Sequence, residues 1–380
     1  MTGAALRAPR LALLAVLAFG AFAALAGAAE AYPQFQLSRD KTCTGCHLSP
    51  AGGTLLTENG ESVSETISTF GMSGAFLYGK APLPSWLILG GDLRAATGYL
   101  QTPEKALATF PMQIELYGHA TLPSGLSLHV TAGTRPATVG NEASTRVWSR
   151  EHYFMWRTAP GTPTGLFVRA GRFMPVFGLR FAEHPLYTRR YGGTPLYGDT
   201  YGAAVEYIAE RFEAHATGFI EDPVINPVQH VSGGAAYAEV RPTDVMSVGA
   251  GGMIEISDDD RKYRGTFTGK YYVPGPDLLL QAEVQVVNQR IDGGGAPIQL
   301  IGNLVLSRYL GTGLLLDVGV GHFDSNIRIK DLDRDCVDVN LHWFTNSHIE
   351  LIFNGRFEAV AFGRSGDPGA YALFQAHYRL

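Results

Sequence analysis

From Trp86 onward, apolar and polar residues alternate with period two in stretches of about ten, separated by turn residues. Gln281, Glu283, Gln285 and Gln289 interleave with Ala282, Val284 and Val286. Gln113, Glu115, Tyr117 and His119 interleave with Met112, Ile114 and Leu116, and Asp338, Asn340 and His342 with Val339, Leu341 and Trp343. Short connections fall at Leu122–Gly125, Ala159–Thr164, Ala209–Arg211, Pro242–Asp244, Pro274–Asp277, Gly311–Thr312 and Thr345–Ser347. Longer ones fall between them, at 101–110, 135–146, 173–199, 221–231, 257–262, 290–297, 324–336 and 359–370. Strict alternation of short and long connections predicts an all-β chain: a transmembrane antiparallel barrel of about 16 strands over residues 83–380, with both ends on the short-turn side. A bilayer demands such closure, because an open sheet edge has no water to satisfy it. The last strand fits, with Ala372, Phe374, Ala376 and Tyr378 facing one way and Leu373, Gln375, His377 and Arg379 the other; it ends on Leu380 rather than an aromatic residue.

The N-terminal region departs from this pattern. Arg7 and Arg10 precede an apolar run from Leu11 to Gly27, and Ala29-Glu30-Ala31 has the small-x-small spacing of a cleavage site. Residues 1–31 are therefore expected to be a secretory signal peptide with Tyr32 as the mature N-terminus; the alternative is an uncleaved anchor. Either places the chain outside the cytoplasm, and with the barrel the expected location is the outer membrane.

Composition sharpens this picture. Charged residues make up 17% of the 380, well under the roughly 25% of a soluble domain, and glycine contributes 46. With 46% apolar residues and net charge −5, the chain is neither disordered nor built to hold nucleic acid. A mean hydropathy of +0.02 argues against a bundle of membrane helices. Three cysteines cannot supply a disulfide framework.

Two of those cysteines carry chemistry. Cys43-Thr44-Gly45-Cys46-His47 has the C-x-x-C-H spacing of covalent c-type haem attachment, in which two thiols bind the vinyl groups and the adjoining His faces the iron. A disulfide leaves His47 unexplained, and a zinc site lacks a second ligand pair before His119 or Cys336. Residues 32–82 are thus expected to be a small monohaem cytochrome c-like segment, too short to bury a large core alone and so a candidate lumen plug. Met72, 25 residues after His47, is the candidate sixth ligand, with a lumen histidine such as His119 the alternative.

The longest connection, 173–199, is the third on the long-loop side. Its stretch Gly171-Arg172-Phe173-Met174-Pro175-Val176-Phe177-Gly178-Leu179-Arg180 resembles one in phosphate-selective porins, and in general porins the loop at this place narrows the pore. Arg172, Arg180, Arg189 and Arg190 are candidate constriction residues that would favour anions, or alternatively partners of loop carboxylates. The acidic runs 258–260 and 331–335 suit hard cations or are solvated tips, and Cys336 has no sequence-level explanation.

The signal segment, the single C-x-x-C-H and the porin-sized barrel together resemble the fused monohaem cytochrome c–porin proteins of bacterial outer membranes, which include outer-membrane iron oxidases. Phe35 before Cys43, then Pro50-Ala51-Gly52-Gly53 and Leu55 to Gly60, carry the resemblance; Thr57 stands where that family has Asn, and Glu61 where Arg is common. The resemblance implies one covalent haem c and single-electron transfer between an outside donor or acceptor, Fe(II) among them, and a periplasmic cytochrome. Two other functions remain open: an anion-selective porin with a haem-bearing plug or redox sensor, and a scaffold barrel around a separate multihaem cytochrome.

Overall fold

The computed structural model describes residue 37 and residues 42–53, 55–101, 105–134, 147–183, 185–195, 198–222, 231–359 and 369–380. The expected signal peptide, and Phe35, lie outside the described residues.

Sixteen strands form one antiparallel sheet among the described residues. They are β1 Leu87–Gln101, β2 Lys105–Thr121, β3 Leu126–Thr134, β4 in two pieces (Val147–Trp148 and His152–Arg157), β5 Gly165–Phe173, β6 Thr200–Ala209, β7 Phe212–Ile220 and β8 Ser232–Thr243. The second half comprises β9 Met246–Ile256, β10 Asp260–Val273, β11 Leu278–Ile291, β12 Ile298–Gly311, β13 Leu314–Asp324, β14 Asp333–Asn346, β15 Ile349–Ala359 and β16 Gly369–Arg379. Both pieces of β4 pair with β3, so they count as one strand. The sheet closes where β1 pairs with β16, from Asp92 opposite Arg379 to Gln101 opposite Ala370. All seven short connections lie where the pattern puts them. Several long ones are shorter than expected, because β2 starts at Lys105, β10 at Asp260 and β14 at Asp333, and β11 runs on to Ile291.

The burial pattern inverts that of a soluble protein. On β10, Thr266 and Thr268 are 6% and 1% exposed while Phe267 between them is 61% exposed. Leu107, Leu116, Phe154, Val284 and Val286 likewise face out, and Glu115, His119, Glu206, Gln281, Glu283 and Asp338 face in. An apolar exterior with a polar interior suits acyl chains outside and water or a polar filling inside.

Among the described residues, two segments occupy that interior. The connection between β5 and β6 folds inward and includes the helical turn α3, Tyr187–Arg190. Its backbone is pinned to the wall: the Leu179 N–H donates to Glu283 Oε2 (3.1 Å), Thr188 N–H to Asn303 Oδ1 (2.8 Å) and Gly193 N–H to Gln285 Oε1 (3.3 Å). Wall residues turn apolar where this loop packs. Leu179, Phe181 and Leu186 meet Val305, and Tyr187 meets Val287, Ile301 and Cys336. Cys336 is thus a buried packing residue beneath the loop.

The N-terminal segment fills the short-turn end, which is periplasmic in barrels of this kind. The Thr69 N–H donates to the Phe344 carbonyl (2.9 Å), Phe70 N–H to Thr345 O (3.0 Å) and Ser347 N–H to Gly71 O (3.2 Å). The Thr44 hydroxyl donates to the carbonyl of Pro163 in another short turn. Val63, Ile67 and Cys46 pack with Tyr309 and Leu315 of the wall, and with Phe344. This small apolar joint, with the hydrogen bonds, seats the segment against the wall at that end.

Candidate functional site

The C-x-x-C-H run forms a single helical turn. In α1, Cys43–Cys46, Thr42 is the N-cap and its hydroxyl accepts from the Gly45 N–H (3.1 Å). Such capping holds an otherwise marginal turn, and the i,i+3 spacing puts both thiols on one side. The chain leaves the helix at His47 in extended conformation, its N–H donating to Cys43 O (2.8 Å).

A second helix, α2, Glu58–Ile67, braces the turn. Thr57 caps α2, and its hydroxyl donates to Gly45 O (2.6 Å). Asn59 Nδ2 donates to the same carbonyl (3.3 Å) and approaches Cys46 Sγ at 3.6 Å. Only glycine fits at position 60, since a Cβ there would lie 2.2 Å from the Cys46 carbonyl oxygen.

His47 stands between two chambers. The first, about 350 Å³, is lined by Cys43, Cys46, His47 and the Gly52–Gly53 pair on one side, with Glu183, Asp317 and His342 among the residues opposite. The second, about 550 Å³, is lined by His47, Met112, Met174, His377 and five arginines: Arg94, Arg150, Arg180, Arg189 and Arg379. Burial, reinforced by Arg379, pushes the His47 pKa down to about 4, so the imidazole is neutral, as metal ligation requires. Its Nδ1 is buried without a hydrogen-bond partner. Burial also raises the Cys43 thiol.

The other expected site residues are scattered. Met72 is 52% exposed at the short-turn mouth and lines neither chamber. His119 is buried on β2 beside His129, also outside both chambers. Arg172 pairs with Asp222 (3.1 Å) and donates to the carbonyls of Ser149 and Arg150, while Arg190 stacks on Tyr191 at 5.1 Å. Only Arg180 and Arg189 of the four reach the second chamber. Arg180 bridges plug and wall, donating to Pro50 O (3.1 Å) and to Glu213 Oε1 (2.6 Å). Met112, Met174, Arg94, Arg150 and Arg379 escaped the sequence reading because they meet only when the barrel closes. Of the acidic runs, Asp260 pairs with Lys262 (3.2 Å) and Asp335 with His322 (2.8 Å).

OmpT of Vibrio cholerae superposes with a TM-score of 0.61 at 13% identity, covering 77% of this chain and 99% of OmpT. The fold is that of the outer-membrane porins. An anion-selective porin from Comamonas acidovorans gives 0.60 at 12%, covering 77% and 99%, and OprB of Pseudomonas putida gives 0.60 at 11%, covering 77% and 94%. No family model matches the sequence, and neither does any curated relative. With its apolar outer wall, this barrel resides in the outer membrane. Its exterior meets lipid.

Proposed function

We propose that this chain is an outer-membrane electron-transfer protein in which one covalent haem c, held by Cys43, Cys46 and His47, passes single electrons between an outside donor or acceptor and a periplasmic cytochrome. One observation carries the reading: the C-x-x-C-H turn sits inside a closed porin-type barrel, with His47 lining two chambers as a neutral imidazole whose Nδ1 has no hydrogen-bond partner. That donor set and space suit the group. Haem supplies one-electron chemistry, tuned by its axial ligands and burial.

The chain's own residues orient and enclose the site. α2 and the Thr57 and Asn59 contacts fix the turn. The plug and the inward loop line the first chamber, and in the second Arg180 is held by Glu213 (2.6 Å) and Arg150 by Asp199 (3.4 Å) and Glu115 (3.5 Å). Met112 and Met174 share that chamber with His47, so they are better placed than Met72 as candidate ligands. A hydrocarbon core of ~30 Å exceeds one macrocycle, so both partners must dock at the barrel's ends.

Reconstitution into liposomes holding a trapped redox dye, with Fe(II) outside, tests the proposal. Dye reduction should exceed that of a Cys43→Ser control; equal rates sink it. The second reading is an anion-selective porin with the plug as gate. It is favoured by the porin fold, one of whose neighbours is an anion-selective porin. Large anion conductance by the unperturbed protein in planar bilayers would select it.

A further inference from the structure

Glu183, Asp317 and His342 lie far apart in sequence, yet each offers a donor atom within 4.8 Å of the others. Glu183 comes from the inward loop, Asp317 from β13 and His342 from β14. His342 Nε2 is 3.3 Å from Asp317 Oδ2 and 3.9 Å from Glu183 Oε1. Behind it, Glu350 Oε1 lies 2.8 Å from Nδ1.

That last contact places a proton on Nδ1. A carboxylate accepts, so Nδ1 carries a proton, and Nε2 faces two further carboxylates across which either a second proton or a cation must lie. Lone pairs converging on one point repel unless a proton or cation lies between them. His342 and Asp317 are 6% and 3% exposed, and both His342 Nε2 and Asp317 Oδ1 are buried without hydrogen-bond partners. One imidazole nitrogen with two carboxylates is a donor set for a divalent first-row transition metal. A carboxylate behind the ligating histidine is the usual outer support of such a site. Glu350 is itself held by His377 (3.1 Å), which Asp92 anchors at 2.7 Å.

We propose that Glu183, Asp317 and His342 bind one divalent transition-metal ion, with Glu350 positioning His342. The ion would staple the inward loop to the wall, because Glu183 is the donor the loop contributes. The site faces the first chamber but uses none of the C-x-x-C-H residues, so it does not rest on haem attachment.

Mn(II) is the probe, followed by electron paramagnetic resonance on purified, metal-stripped protein in detergent. The same titration on the Cys43→Ser/Cys46→Ser variant separates this site from the haem reading. One Mn(II) should bind per chain in both proteins. Glu183→Gln leaves every strand intact and should weaken binding at least tenfold, and His342→Ala should abolish it. Glu350→Gln should weaken binding 10–100-fold, as loss of such outer support does. Heat-modifiable gel migration confirms that each barrel is closed. No saturable Mn(II) binding at neutral pH would show that a proton alone satisfies the cluster. Equal affinity in the Glu183→Gln and His342→Ala variants would overturn the proposal as well.

Discussion

The plug's seat rests on a small apolar joint, and cutting it should open the barrel without unfolding it. Val63 and Ile67 on α2 and Leu315 on the wall are all buried in one cluster with Tyr309. Ile67→Ala removes a buried side chain at a cost of roughly 2–4 kcal/mol. Val63→Ala removes two methyl groups, about 1.6 kcal/mol at ~0.8 each. Together they should shift the seating equilibrium by roughly 4 kcal/mol, about a thousandfold. The hydrogen bonds from Thr69, Phe70 and Ser347 remain, so seated molecules persist as the minor or less dominant state. Part of the loss falls within the plug, since Cys46 touches the same cluster. Leu315→Ala therefore attacks the joint from the wall and should act in the same direction. Planar-bilayer conductance and protease clipping of the plug read the outcome, with heat-modifiable migration confirming a closed barrel. Conductance and clipping unchanged in both variants, with the barrel intact, would show that the joint does not hold the plug.

Four further outcomes follow from individual contacts. Gly60→Ala drives a Cβ into the Cys46 carbonyl oxygen, so covalent haem content per chain, read by the pyridine haemochrome spectrum, should fall severalfold; full loading would show that α2 need not pack there. Val284→Arg places a charge on the lipid face of β11 and should cost roughly 2–4 kcal/mol in urea-refolding experiments in liposomes. A change within error would mean that this position is not lipid-facing. Met72→Ala should leave the haem spectrum unaltered, because Met72 lies outside both chambers; loss of a methionine–iron band would make it the ligand. In the Cys43→Ser/Cys46→Ser protein, the depressed His47 pKa favours the neutral ring in the seated plug. Its contribution is complete above about pH 6.5 and is lost as pH falls towards about 4, so clipping should rise across that window; a flat profile would refute the burial of His47.

The strands were legible because lipid and lumen impose opposite demands on successive residues, and period two records this directly. Val284 between Glu283 and Gln285 needs no tertiary information. Strand ends were harder: Asp260 and Lys262 read as loop residues, yet they extend β10 beyond the apolar band, where polar residues suit both faces. Alternation also fails where the lumen is filled by protein. Val287 sits where a polar residue was expected, and only the folded loop, bringing Tyr187 against it, explains the exception.

The site divides along the same line. Local geometry was readable: two thiols and an imidazole stand within five residues, and the caps that hold their turn lie within fifteen. Chemistry assembled by barrel closure was not. The sequence grouped Arg172, Arg180, Arg189 and Arg190 because they share one loop region, but Arg172 is spent on Asp222 and Arg190 on Tyr191. The second chamber instead draws Arg94 and Arg379 from β1 and β16, the two strands that close the barrel, and Arg150 from the break within β4. In Glu183, Asp317 and His342 the principle is at its sharpest. As a lumen-facing strand residue, Asp317 or His342 is unremarkable, and Glu183 is one loop carboxylate among several. Only curvature of the wall and inward folding of the loop make three ordinary polar residues converge, so a functional cluster in such a barrel should be sought across strands rather than along them.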